Sequence, residues 1–257
     1  MKLIKGSNPE YGEKWVNFAP SFDWTKGPLF GYDLETTSVN PELARIVQAG
    51  IVLDIPGKEP FTYDWLVNPE IEIPLNATAI HGINTQAVQE KGILIPRAII
   101  EIMAVLTNLK KTYPDSPLIC VNAPYDLTIT DREMRRHIGF GISLNRLPPI
   151  VDTLTCDRKL DPFRTGRRTL TAASAAYGIP INGAHQAVND VICSIKLVRA
   201  MGKKYPEFAT CDLGTLQAMQ IVAHHEWADG FEEYKRMEDP EFMIERGWPY
   251  KRYDNNG

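Results

Sequence analysis

Residues 29–37 read Leu29-Phe30-Gly31-Tyr32-Asp33-Leu34-Glu35-Thr36-Thr37, a short apolar run that ends in two carboxylates separated by one residue. Such a run is typical of a buried β-strand. Because residues i and i+2 of a strand share a face, Asp33 and Glu35 should point the same way. The pair could then share one hard divalent cation, which prefers oxygen ligands. Unpaired carboxylates are costly in a core, so the pattern indicates a site rather than packing.

Length, charge and cysteine content narrow the class of protein. The 257 residues fit one sizeable domain with appendages, or at most two small domains. A formal net charge of -4 argues against a protein that coats long nucleic acid, but allows an enzyme that holds a few nucleotides. The four cysteines form no Cys-x-x-Cys pair, so neither a zinc site nor a disulfide framework is predicted. With no signal-like apolar core and no long apolar run, we expect a cytoplasmic protein without a membrane span.

The order of predicted elements indicates an α/β layered domain. Strand-like segments over 29–34, 45–54 and 61–67, joined by short connectors, predict a meander. Two further short strands are predicted over 117–121 and 149–152, with Asp152 as the cap of the following helix. Helical patterns cover 76–88 (one helix or two short ones), 96–111, 126–138, 168–177 and 185–201. The sequence therefore predicts a sheet of about five strands covered by helices.

The two ends of the chain have a different character. Residues 1–27 are predicted to be an irregular lead-in that docks its aromatic side chains on the domain. Residues 212–237 carry apolar side chains every three or four positions, which predicts an amphipathic helix that packs on the domain rather than binding a cofactor. This stripe consists of Leu216, Met219, Ala223, Trp227, Phe231 and Tyr234.

Three more residues could join the first acidic pair. Asp126 follows a buried strand at the start of a helix, where it could equally interact with the helix dipole. His185 and Asp190 lie five residues apart at the start of the last domain helix, and converge if His185 lies at or before the first turn. Taken alone, His185 could be a cap or a surface residue.

Together, Asp33-x-Glu35, Asp126 and His185-x4-Asp190 resemble the three motifs of the DEDDh (DnaQ-like) branch of the DEDD exonucleases. Residues 79–83, Ala-Ile-His-Gly-Ile, are similar to a segment that this family carries between its first two motifs. Residues 122–126 resemble its Asn-x-x-Phe-Asp motif, with Tyr125 in place of Phe. The resemblance implies a ribonuclease H-like mixed five-stranded sheet flanked by helices. Its expected parts are an irregular N-terminal segment (1–27), an exonuclease domain (28–202) and a C-terminal helical extension (203–257).

The resemblance also implies a division of roles at the site. Two divalent cations, Mg²⁺ or Mn²⁺, would be held by Asp33 as the bridging ligand, by Glu35 and Asp190 at one ion, and by Asp126 at the other. His185 would remove a proton from the attacking water. By position, the residues expected to contact the terminal nucleoside are Thr36, His81 and Ile83. For His81, a helix-stabilising role is equally expected.

The expected activity is metal-dependent 3′-to-5′ hydrolysis of single-stranded DNA ends or short oligonucleotides, which releases nucleoside 5′-monophosphates. Expected partners are single-stranded DNA or RNA 3′ ends and a DNA polymerase, and the sequence gives no indication of oligomeric state. Three alternatives stay open: an exoribonuclease resembling ribonuclease T or oligoribonuclease, a catalytically silent subunit that binds nucleic acid or a polymerase, and an enzyme with nuclease-like metal chemistry that acts on a nucleotide or other phosphoester. A basic cluster could steer phosphates, although a solvated loop is favoured; it contains Arg158, Lys159, Arg164, Arg167 and Arg168.

Overall fold

The computed structural model describes residues 22–180 and 186–253. Among these residues the strands are β1 (Leu29–Thr36), β2 (Ile46–Asp54), β3 (Phe61–Asn68), β4 (Ile93–Leu94), β5 (Leu118–Cys120) and β6 (Ile150–Asp152). The helices are α1 (Leu75–His81), α2 (Thr85–Lys91), α3 (Ile95–Thr112), α4 (Ala123–Ile138), α5 (Thr153–Leu160), α6 (Leu170–Ala176), α7 (Ala187–Lys204), α8 (Pro206–Thr210) and α9 (Leu213–Arg236). Two short 3₁₀ turns occupy Trp24–Lys26 and Leu144–Arg146.

The strands form one mixed sheet in the order β4-β3-β2-β1-β5-β6. β1, β2 and β3 are the predicted antiparallel meander, and β5 and β6 add to β1 in parallel. The predicted α/β class is thus confirmed, with one strand more than expected. The additional strand, β4, pairs with the end of β3 through only two residues, which is too short to produce a periodic signal.

Helices cover both faces of the sheet, and β1 alternates between them. Phe30 and Tyr32 face α3 and α4, where the Tyr32 hydroxyl lies 2.9 Å from Thr130 Oγ1 of α4. Gly31 faces α7, and its backbone lies against the Val191 side chain. Because side chains alternate along a strand, Asp33 also belongs to the α7 face. The layer of α3 and α4 therefore covers Phe30, Tyr32 and Leu34, and α7 lies on the face that carries Leu29 and the two acidic residues.

α9 closes the exposed edge of the sheet at β6. The Gln217 and Gln220 side chains accept hydrogen bonds from the backbone N–H groups of Ile150 (3.0 Å) and Asp152 (2.7 Å), and the Gln220 amide also donates to the Ile150 carbonyl (2.9 Å). The predicted helix is confirmed, but its buried face differs from the predicted stripe, since Gln220 is fully buried while Tyr234 is 54% exposed. The face that meets β6 is polar because an edge strand needs hydrogen-bond partners.

Two smaller predictions can also be compared with the structure. In the lead-in, the Trp24 ring packs edge-on against Phe208 with ring centroids 5.0 Å apart, whereas Phe22 is exposed. Residues 1–21 lie outside the described part of the chain. Within that part, no helix combines the length and the apolar character that crossing a membrane requires. The four cysteines are buried and form no disulfide with one another, as expected.

Candidate metal centre and active site

The carboxylates of Asp33, Glu35 and Asp190 come together at the end of β1. Each offers an oxygen that lies within 4.8 Å of the oxygens of the other two. Asp33 and Glu35 leave the same face of β1, as their spacing predicted, and Asp190 descends from the first turn of α7. Residues 157 positions apart in the chain thus form one acidic cluster.

The close approach of α7 to the sheet depends on two glycines that the sequence analysis did not single out. Gly50 of β2 pairs with Asp33 across the sheet. A Cβ atom at Gly50 would lie 2.8 Å from the Val188 backbone nitrogen, and a Cβ at Gly31 would lie 2.7 Å from Val191 Cγ1. Both distances are below 3.0 Å, so a Cβ atom at either position would force a neighbouring atom to move. A glycine inside a strand is the available signal, since it often marks a close backbone approach.

Asp126 lies in the first turn of α4 and is 2% exposed. Asp126 is not one of the three residues whose carboxylate oxygens lie within 4.8 Å of one another. Its negative charge nevertheless acts on the cluster, because it helps to raise the pKa of Asp33. The turn before α4 contains Asn122, whose φ of 62° and ψ of 57° are left-handed. The Asn122 backbone N–H donates to Asp152 Oδ1 at 2.9 Å.

Burial and like charges make the cluster a poor place for ionised carboxylates. Burial, and then the charges of Asp126, Glu35 and Asp190, raise the pKa of Asp33 well above its ordinary value. Burial and the Asp190 charge raise the pKa of Glu35 to about 7. Burial likewise raises the pKa of Asp126, against the effect of backbone hydrogen bonds.

These properties suit the carboxylates to bind a hard divalent cation. The donors are oxygens, they converge, and the repulsion among them is relieved when a cation neutralises their charge. When bound, such an ion lowers the pKa of a coordinated water and neutralises negative charge on a phosphoryl group. The described residues therefore fit a divalent metal ion.

His185, the predicted base, lies outside the described residues. The first residue described after it is Gln186, the N-cap of α7. Its role stays a prediction.

The residues predicted to contact substrate are partly engaged with the protein itself. Thr36 Oγ1 and the Tyr125 hydroxyl lie 2.5 Å apart, and both reach the Ser38 carbonyl oxygen, at 3.1 and 2.6 Å. His81 is the last residue of α1, and its Nδ1 accepts from the Ile83 backbone N–H at 3.1 Å. Ile83 packs beside the apolar cluster formed by Val47, Ile73, Ala77 and Val88.

The basic cluster is largely built into the fold. Arg164 and Arg168 both form ion pairs with Asp157, which is 1% exposed. The Arg158 guanidinium stacks 3.6 Å from the centre of the Trp227 ring on α9, and Lys159 pairs with Glu226 at 3.2 Å. The favoured interpretation, a solvated loop, is wrong for these four residues and holds only for the exposed Arg167. Their partners are the buried Asp157 of α5 and two residues of α9, Glu226 and Trp227. The run of basic residues in the sequence does not indicate these partners.

The chain is similar to known subunits of DNA polymerase III. The DNA polymerase III subunit epsilon of Rickettsia prowazekii is 27% identical over 165 residues, which cover 62% of this chain and 66% of that protein. The corresponding subunit of Rickettsia conorii is 26% identical over 188 residues, with coverage of 70% and 76%. The alignment with the first relative thus spans slightly less than two thirds of its length.

Solved structures share the fold. E. coli exonuclease I in complex with a dA16 oligonucleotide superposes with a TM-score of 0.60 at 20% identity, over 70% of this chain and 42% of that one. Exonuclease I of Methylocaldum szegediense gives a TM-score of 0.56 at 21% identity, over 70% and 41%. This chain therefore corresponds to less than half of each exonuclease I chain.

The family model RNase_T, described as an exonuclease, matches residues 30–198. That span begins at the second residue of β1 and ends within α7, and so contains the acidic cluster of Asp33, Glu35 and Asp190 as well as Asp126. Since the match covers more than half of the chain and the fold agrees with it, the chain belongs to this exonuclease family, within the DEDDh exonucleases of the ribonuclease H-like superfamily.

Proposed function

We propose that the protein is a metal-dependent 3′-to-5′ exonuclease that acts on the 3′ ends of single-stranded DNA or short oligonucleotides. The observation that carries the proposal is the convergence of Asp33, Glu35 and Asp190, whose carboxylate oxygens lie within 4.8 Å of one another. Family membership supports nuclease chemistry at this cluster. Hydrolysis of a phosphodiester requires a nucleophilic water and neutralisation of charge on phosphorus and on the leaving oxygen.

In this proposal the four carboxylates hold two divalent cations, Mg²⁺ or Mn²⁺. Asp33 would be the ligand shared by both ions, Glu35 and Asp190 would hold the ion that lowers the pKa of the attacking water, and Asp126 would hold the second ion. His185 accepts the proton from water as the water oxygen bonds to phosphorus. The bond from phosphorus to the 3′ oxygen then breaks, and the departing oxygen takes up a proton from solvent water. The products are a nucleoside 5′-monophosphate and a strand with a new 3′ hydroxyl.

Single-stranded DNA is the proposed substrate class because of what the similar proteins are described as binding. Exonuclease I has been solved with a dA16 oligonucleotide, and the sequence relatives are subunits of DNA polymerase III. Association with a DNA polymerase is part of the same proposal. The net charge of -4 suits contact with a few nucleotides at a metal-neutralised site, since long electrostatic contact with DNA needs many cations on the protein. By position, Thr36, His81 and Ile83 are proposed to contact the terminal nucleoside.

The test is time-resolved product sizing on 5′-labelled oligonucleotides. Matched single-stranded and duplex DNA and RNA are incubated with Mg²⁺, with Mn²⁺, or with a chelator. We expect single-stranded DNA to shorten stepwise from its 3′ end, with release of nucleoside 5′-monophosphates and complete inhibition by the chelator. Asp115→Asn, a change at an exposed carboxylate in the turn before β5, is the control and should be fully active.

Three outcomes would overturn parts of this proposal. An intact labelled strand in the presence of either metal, while a control nuclease degrades it, removes the enzymatic claim and favours a silent binding subunit. Faster shortening of RNA than of matched DNA assigns an exoribonuclease, which must accommodate the 2′-hydroxyl. Degradation that persists in chelator removes the metal from the mechanism.

A further inference from the structure

The position of Asp126 depends on the turn that starts α4. Asn122, the residue before the helix, is in the left-handed region, which non-glycine residues seldom adopt, although asparagine tolerates it better than most. Its side chain does not cap the helix. The turn is instead tied by the Asn122 backbone N–H, which donates to Asp152 Oδ1. A change in this hydrogen bond would alter the direction in which the first turn of α4, with Asp126, leaves the sheet.

Asp152 itself is held from several directions. It ends β6, is 1% exposed, and caps α5 by accepting from the backbone N–H of Leu154 at 3.0 Å. Its Oδ2 accepts from Thr155 Oγ1 at 2.9 Å and from Trp248 Nε1 at 3.3 Å. Trp248 belongs to the segment after α9, so this last hydrogen bond joins the C-terminal extension to the residue that ties the turn.

A second set of contacts connects the extension to α4 directly. The Lys251 backbone N–H donates to Thr128 Oγ1 at 2.9 Å, and Thr128 lies two residues after Asp126 and is fully buried. Arg132, also on α4, donates to the Lys251 carbonyl oxygen at 3.2 Å. The Trp248 side chain is only 8% exposed and packs in the apolar core on the α4 face of the sheet.

From these contacts we propose that the C-terminal extension is a structural part of the active site. Trp248 is a positioning residue that acts through Asp152 and Asn122 to hold Asp126 where it serves the second metal ion. The proposal rests on the proposed two-metal function, in which Asp126 is a ligand. It predicts that Trp248 controls the affinity for one of the two metal ions. Trp248 lies 122 positions after Asp126 and beyond the matched exonuclease region.

The test compares Trp248→Phe with Trp227→Phe in the full-length protein. The first change removes the N–H donor to Asp152 and keeps an aromatic ring, whereas Trp227 stacks on Arg158 and serves as the matched control. Binding of Mn²⁺ is titrated by electron paramagnetic resonance, and Asp126→Asn identifies which binding event belongs to Asp126. We expect Trp248→Phe to weaken that same event about 10-fold and leave the other unchanged, as is common for partners that orient a metal ligand.

Two further readouts distinguish positioning from general destabilisation. Excess Mn²⁺ should restore the rate of oligonucleotide cleavage in Trp248→Phe, because the ligand is displaced and not lost. Hydrogen exchange of the Asn122 amide should accelerate in Trp248→Phe and stay at the native rate in Trp227→Phe. If Trp248→Phe does not fold, Thr128→Val takes its place, since it is isosteric and removes a second anchor of the segment, the hydrogen bond from the Lys251 backbone N–H.

The outcomes separate this inference from the proposed function. Native Mn²⁺ affinity at both sites together with native exchange at Asn122 overturns the inference and leaves the exonuclease proposal intact. If the native protein binds fewer than two Mn²⁺ ions, the two-metal proposal fails. The exchange rate of the Asn122 amide then decides alone whether Trp248 holds the turn.

Discussion

Asp190 and Asp126 reach the same end of the sheet from opposite faces and are held there by different kinds of contact. Asp190 depends on van der Waals packing, because α7 rests directly on the backbone of Gly31 and Gly50. Asp126 depends on hydrogen bonds that run from Asn122 to Asp152 and on to the C-terminal extension. A packed contact of this kind tolerates no added atom, whereas the hydrogen-bonded side tolerates a change of shape but not the loss of a donor or acceptor.

The largest effect is expected from Asp33→Asn, which removes the carboxylate that is proposed to bind both metal ions. Loss of the bridging ligand should lower the rate on single-stranded DNA by about 10³-fold or more, because metal neutralisation is worth several kcal/mol in the transition state. In chelator, the midpoint of thermal unfolding should not fall, since the substitution removes a carboxyl group whose ionised form is disfavoured by burial and by the neighbouring carboxylates. Steady-state kinetics and calorimetry measure the two effects. A rate within a few-fold of native would contradict the role of Asp33 in the chemistry.

Gly50→Ala should disturb only the packing that positions Asp190, and not the hydrogen bonds that position Asp126. The alanine Cβ would lie 2.8 Å from the Val188 backbone nitrogen and 2.9 Å from the Ala187 carbonyl carbon, and backbone atoms cannot rotate away. Displacement of the first turn of α7 should weaken Mn²⁺ binding or activity by about 10- to 100-fold. The free energy of unfolding should fall by about 1–3 kcal/mol through overpacking.

Gly230→Ala is the matched control for this substitution. Gly230 lies within α9, and a Cβ there meets no atom within 4 Å. We expect unchanged metal binding and a gain of up to about 1 kcal/mol in unfolding free energy, since alanine is the better helix former. Gly31→Ala should be milder than Gly50→Ala, because the atom it meets first belongs to the Val191 side chain. Native metal binding in Gly50→Ala would show that the helix can move without moving Asp190.

The charges of the cluster predict a pH dependence of stability in the metal-free protein. Burial and Asp190 raise the pKa of Glu35 from 4.5 to about 7 in the folded state. Between these values the unfolded chain releases the proton while the folded chain keeps it. The stabilising contribution is therefore complete below pH 4.5 and lost as the pH rises to about 7. We expect the unfolding midpoint in chelator to fall across this window.

Two measurements sharpen this prediction. Saturating Mn²⁺ should reverse the fall, because metal binds the deprotonated carboxylates and stabilises the folded state more as the pH rises. Glu35→Gln should reduce the fall of the metal-free profile between pH 4.5 and about 7, since it removes one titrating group and leaves Asp33 and Asp126, whose pKa values are also raised. Identical profiles for the native protein and Glu35→Gln would assign the dependence to other groups.

The smallest effect is expected from Tyr125→Phe, which removes the hydroxyl that links the start of α4 to the chain at the end of β1. The Tyr125 hydroxyl joins the start of α4 to Thr36 and Ser38 at the end of β1. Its loss should lower the unfolding free energy by about 1–2 kcal/mol, because it removes two hydrogen bonds of about 1 kcal/mol each, and leave Mn²⁺ affinity unchanged. A double-mutant cycle with Thr36→Val, followed by chemical denaturation, measures the coupling. Additive effects would mean that the two hydroxyls do not interact.

The sequence predicted what is encoded locally. The meander of β1 to β3, the shared face of Asp33 and Glu35, and the cap at Asp152 each follow from residues close together in the chain. It did not reveal that Asp152 also accepts from Asn122, 30 positions earlier, or that α9 buries Gln220 against β6. Those contacts depend on which elements become neighbours, and the residue types alone carry no period that encodes them.

The hydrogen bonds from Gln217 and Gln220 to β6 have a consequence for self-association. A strand at the border of a sheet, with free N–H and C=O groups, is a template on which a second chain can add its own strand. At β6 the Ile150 N–H, the Ile150 carbonyl oxygen and the Asp152 N–H are already taken by glutamine amides. An incoming strand would first have to displace α9 and leave those buried amides without partners. A helix thereby protects this border against aggregation by strand addition.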